Sequence, residues 1–139
     1  MKKVLLLNVM LLLATCMFAQ TLKKGSLLGL HKGTVTLSPN ATMEQFRKYY
    51  LNEYAPAFTK IFNVKLVEVT AVRGEDVKKN NTDMALLFIF EPNARDKFFD
   101  ADGKLNKLGT NLFAKLKSYT DELDKLGKFN STYTDWEIN

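Results

Sequence analysis

The segment MALLFIF (residues 84–90) contains no polar side chain. Seven residues suit a strand better than a helix, and Glu91-Pro92-Asn93 ends the run directly. Successive side chains of a strand point to opposite faces. Met84, Leu86, Phe88 and Phe90 then share one face, and Ala85, Leu87 and Ile89 share the other. A sheet covered by helices on one side and wetted on the other alternates apolar and polar residues instead. Both faces of this strand therefore need cover, and that requirement shapes the whole fold.

The stretch before it, VKLVEVTAVR (64–73), has the same two-faced character and stops at Gly74. Val67, Val69 and Ala71 stand against Val64, Leu66 and Val72. The polar run EDVKKNNT joins the two strands as a hairpin with a long connection. Further upstream, LLGLHKGTVTL (27–37) reads as a strand in which Gly33 marks a bulge or a close backbone approach. Pro39-Asn40 turns the chain, and Thr42 with Gln45 forms a capping box that opens a helix. Met43, Phe46, Tyr50, Tyr54, Phe58 and Ile61 give that helix one apolar stripe. Pro56 lies inside it and is expected to bend or break it near residues 53–55.

Downstream, a short helical turn is expected over 94–99. A long amphipathic helix then carries Leu105, Leu108, Leu112, Leu116, Leu123 and Leu126, with Gly127 closing it. STYTDWEI (131–138) is the last strand. The order β-α-β-β-α-β is that of the ferredoxin-like α+β fold, with a four-stranded antiparallel sheet. No spare apolar helix remains for the second face, so an identical sheet is the expected cover. That arrangement is a dimeric α+β barrel with two-fold symmetry. Leu66 and Val72 are expected on its shared face.

The first nineteen residues read as a secretory signal: Lys2 and Lys3, an apolar stretch from Val4 to Leu13, then Ala19 before Gln20. The apolar stretch is shorter than the roughly 20 residues that span a bilayer. Leu13-Ala14-Thr15-Cys16 also approximates a lipobox, but Thr15 is large for the position before a lipidated cysteine. The expected arrangement is a signal peptide over 1–19 and one domain over 20–139, exported to the periplasm or the medium; anchorage through Cys16 is the lesser alternative. The domain then has no cysteine, which removes thiol nucleophiles and disulfides. Losing Lys2 and Lys3 lowers the formal charge from +5 to +3, no nucleic-acid footprint.

The runs GLHKGTVTLSPNATMEQFRKYYLNEYAPAF, VRGE, IFEPNARDKFF and YTDWEI together resemble the dimeric α+β-barrel superfamily. Within it they are most similar to small exported bacterial proteins of unassigned function. The resemblance covers essentially the whole of 20–139 and implies the fold. The superfamily includes cofactor-independent monooxygenases, polyketide-modifying and EthD-like proteins and haem-handling members, yet a shared barrel does not carry a shared chemistry. None of their catalytic motifs matches residue by residue.

The chemistry-bearing residues are few. His31 is the only histidine, and without a second histidine or a cysteine no transition-metal site is expected. A haem held by His31 as sole axial ligand stays open without independent support, and the expectation is no cofactor. A lone strand histidine is usually held structurally by hydrogen bonds; as a functional group it is a candidate base. Arg73 is a candidate partner for a carboxylate or enolate, or else an ion-pair partner of Glu68 or Glu75. Tyr50, Tyr54 and Trp136 are candidate pocket walls, although aromatics at helical spacing are commonly plain core. Asp100-Ala101-Asp102-Gly103 lacks the outer ligands of a calcium loop. Two functions follow as expectations. One is a homodimeric binding module for a small, mostly apolar ligand, without nucleic-acid partner or stable membrane span. The alternative is a cofactor-independent enzyme of monooxygenase or isomerase type, using His31 as base with Arg73 or a tyrosine hydroxyl steadying a developing oxyanion.

Overall fold

The computed structural model describes residues 22–79 and 82–139; the expected leader, with Cys16, lies outside the described residues. Strand β1 (Leu27–Leu37) runs antiparallel between β3 (Met84–Phe90) and β4 (Gly127–Glu137). The short β2 (Lys65–Glu68) pairs on the outer side of β3, giving the sheet order β2-β3-β1-β4. This α+β arrangement is compatible with a ferredoxin-like fold. Among the described residues, no helix is long and apolar enough to cross a membrane.

The strands differ in length from their sequence reading because pairing, rather than composition, sets their ends. Residues 64–73 are apolar enough for a longer β2, but β3 begins at Met84 and offers nothing to pair with beyond the Val69 amide, which donates to the Ala85 carbonyl at 2.9 Å. Val72 therefore leaves the sheet and is 87% exposed. Conversely, β4 starts four residues before Ser131, because all eleven residues of β1 find partners there. Gly33 holds its place in both registers without a bulge. A Cβ there would stand 1.9 Å from the Asn130 carbonyl oxygen, so the close-approach reading is the correct one.

The first helical segment begins as expected: Thr42 Oγ1 accepts from the Gln45 amide, and Gln45 Oε1 accepts from the Thr42 amide. Helix α1 (Met43–Tyr49) passes into a π turn (Tyr50–Tyr54) and then into α2 (Ala55–Phe62). The expected interruption before Pro56 takes the form of this widened turn, in which the Ala55 amide donates to the Tyr50 carbonyl five residues back. Proline sits at the start of α2, where its missing amide costs little. The run EDVKKNNT, read as loop, contains α3 (Glu75–Lys79). After the short α4 (Ala94–Phe98) comes α5 (Lys107–Phe113), one 3₁₀ turn (Ala114–Leu116) and α6 (Lys117–Leu126). The 3₁₀ turn interrupts the expected single long helix.

Between these helices and the sheet lies the core. Phe46, Phe62 and Leu116 meet Met84 and Leu86 there, all five fully buried. Cross-strand partners share a face, so the register sorts the sheet into two sides. His31, Leu86 and Tyr133 are partners on the helix side; Leu30, Leu87 and Thr134 are partners on the opposite, open side. The β3 residues on the open side, Ala85, Leu87 and Ile89, are half-buried. Leu66 is a correction: it stands opposite Phe88 and packs on the core, while Val67, opposite Leu87, faces outward at 48% exposure. Part of the open face is covered by a polar device. Lys32 donates to Asp76 of α3 at 2.6 Å, drawing that helix over one end of the sheet.

Candidate functional site

A cavity of about 560 Å³ lies between the helix side of the sheet and the helices above it. Its walls include His31 of β1, Tyr50 and Tyr54 of the π turn, Phe58 of α2, Phe88 of β3 and Phe129 of β4. Three of the sequence-selected residues thus meet in one place. The π turn explains how the two tyrosines arrive there. In a regular helix, positions four apart drift by about 40° around the axis. Phe46, Tyr50, Tyr54, Phe58 and Phe62 would spiral away from the sheet, and the wider turn rewinds them. The Tyr50 and Tyr54 rings stand 5.1 Å apart, and Tyr54 stacks over Phe58 at 6.3 Å. Burial raises the pKa of both hydroxyls, so each stays protonated and available as a donor at neutral pH.

His31 occupies the middle of the floor. Its ring lies 4.7 Å from Phe88 and stacks on Tyr133 at 5.6 Å. Burial lowers its pKa below the ordinary 6.5, partly offset by the negative charge of Asp135. The imidazole is therefore neutral at pH 7. Among the described residues, no hydrogen bond to protein restrains the ring, contrary to the usual structural role of a strand histidine.

A smaller cavity of about 100 Å³ shares the His31 and Phe99 side chains with the larger one. Arg95, Tyr133 and Asp135 complete its polar wall. Arg95 Nε donates to Asp135 Oδ2 at 2.7 Å. Gly29 is what admits this pair: a Cβ there would lie 2.9 Å from Asp135 Oδ1 and 3.9 Å from His31 Nε2. Both polar atoms lean over the bare backbone.

Two expected site residues are elsewhere. Arg73 is exposed beyond the end of β2 and borders neither cavity; Glu68 pairs with Arg47 and Glu75 with Lys78. With no strand beyond Val69, nothing carries Arg73 back over the sheet. Trp136 is the cross-strand partner of Leu28 on the open face, 49% exposed, and cannot wall a pocket on the helix side. The sequence reading missed Arg95, Tyr133 and Asp135. For Tyr133 and Asp135 the signal was the register of β4: once Trp136 faces outward, both must face inward, and Arg95 of α4 follows as the partner of Asp135.

Compared with models of protein families and with curated proteins, the sequence matches none.

Proposed function

We propose that this protein is an exported, homodimeric binding module of the dimeric α+β-barrel type, holding a small and mostly apolar molecule between sheet and helices. The observation that carries the reading is the aromatic cavity of about 560 Å³, within the size range of small-molecule sites. Side chains from β1, β3, β4 and the π turn converge on it; Tyr50, Tyr54 and His31 are polar points among the aromatics, and Asp124, Lys128, Asn130 and Ser131 add a polar side. The dimer reading rests on the open face, where Leu28, Leu30, Val67, Leu87, Ile89 and Trp136 form an apolar strip. Covering the exposed remainder of such a side chain is worth about 1 kcal/mol at roughly 25 cal/mol per Å². Six from each subunit reach the association cost, roughly 4 to 15 kcal/mol. Export rests on the leader-like residues 1–19.

The test is titration with N-phenylnaphthylamine, an uncharged apolar dye whose emission rises on leaving water. Saturable micromolar binding is expected, and Ser131→Trp, which places an indole at the cavity wall, should abolish it. Binding unaffected by that substitution would place the dye elsewhere and refute the reading.

The enzyme alternative keeps one supporting observation, the neutral and unrestrained His31 imidazole on the cavity floor. It loses Arg73 as oxyanion partner and retains only the tyrosine hydroxyls for that role.

A further inference from the structure

The smaller cavity has a chemistry of its own. Its charged groups cancel, since Arg95 is paired with Asp135 through Nε alone. That single bond leaves the terminal guanidinium nitrogens with protons to donate. A Cβ built on Gly103 would lie 3.4 Å from Arg95 Nη2 and 3.1 Å from the Tyr133 hydroxyl, so both donors border one small space. On the other side, Asp135 Oδ1 and His31 Nε2 converge over Gly29; the carboxylate oxygen accepts hydrogen bonds, and the neutral imidazole has one donor and one acceptor nitrogen. Donors on one wall and acceptors on the other, with no net charge, match a head group that is itself neutral, accepting on one edge and donating on the other.

We propose that the bound molecule carries a neutral amide-like head, such as a carboxamide or lactam, seated among Arg95, Tyr133, Asp135 and His31, with its apolar body in the larger cavity. The amide oxygen accepts from Arg95 Nη2 and Tyr133, and the amide N–H donates to Asp135 Oδ1. An anionic head meets the Asp135 carboxylate, and a purely apolar one makes no use of the donors and acceptors around it. The two cavities adjoin at His31 and Phe99, which line both, so head and body of one ligand lie on either side of the imidazole. The proposal deepens the binding-module reading and rests on it.

Three naphthalene probes of one shape separate the possibilities: naphthalene-carboxamide, naphthoate and methylnaphthalene, titrated calorimetrically into the protein. The carboxamide should bind about tenfold more tightly than either of the others, the effect of roughly 1.4 kcal/mol of polar recognition. Asp135→Asn leaves the Arg95 charge uncompensated and should reverse the order of carboxamide and naphthoate. Tyr133→Phe, at a half-exposed position that tolerates the loss of a hydroxyl, should weaken the carboxamide several-fold and leave methylnaphthalene unchanged. Equal affinities for the three probes, or naphthoate binding best to the unmodified protein, would overturn the amide assignment while leaving the apolar cavity in place. Failure of all three probes together with N-phenylnaphthylamine would overturn the binding reading itself.

Discussion

Single residues set both the tightest contact and the acid sensitivity of this protein. At Gly33 the β1 backbone passes so near Asn130 that any side chain must push the two strands apart. Gly33→Ala is expected to destabilise by about 1 to 3 kcal/mol, the usual effect of overpacking, read from the urea midpoint. Wild-type stability would show that the strands separate freely. His31 acts through protonation. Its pKa is lowered in the folded state, so between 6.5 and that lower value the unfolded chain binds more protons. The contribution of the neutral imidazole is intact above pH 6.5 and is lost as pH falls toward the folded value. Comparison of unfolding free energies at pH 7.5 and pH 5 should therefore show a smaller acid loss in His31→Phe than in the unmodified protein. An equal or larger loss would mean that the imidazole is not desolvated.

At the scale of elements, the π turn links sequence spacing to the site. Aromatics repeating every fourth residue from Phe46 to Phe62 fit no straight α-helix with one buried face, and Pro56 marks where the pattern is repaired. Inserting one alanine between Phe58 and Thr59, in the regular helix beyond the turn, would rotate Phe62 by about 100°. Phe62, fully buried, would leave the core, with an expected loss of at least the 3 to 5 kcal/mol typical of a buried Phe→Ala change. Deleting the exposed Asn52 should cost much less by the same denaturation measurement, because a π turn holds one extra residue and its removal returns the segment to α-helix with both flanks in phase. Similar losses for the two variants would remove the turn from the argument. The sequence allowed the interruption to be foreseen but not its form, because a proline signals a lost hydrogen bond and says nothing of how the ladder rearranges. The order of the strands and main helices was legible from periodicity. The ends of β2 and β4 were not, since they depend on where β3 begins and how far β1 extends. The same dependence hid the site: His31, Tyr50 and Tyr54 could be picked by type, whereas Trp136 and Arg73 were misplaced and Asp135 overlooked until the register was known.

For the whole molecule, the question is what lies against the open face. Leu87 stands at its centre, flanked by Leu30 and Val67, while α3 reaches only the end marked by Lys32. Leu87→Asp should convert a dimer into a folded monomer in sedimentation at micromolar concentration, because carboxylates would be buried at the interface without partners. A dimer that survives this change would have to form through another surface. The most direct test of the account is native mass spectrometry of the protein purified from its own host. The account predicts a two-chain species carrying a small-molecule adduct that dissociates on activation. A bare, folded single chain at every concentration would contradict it.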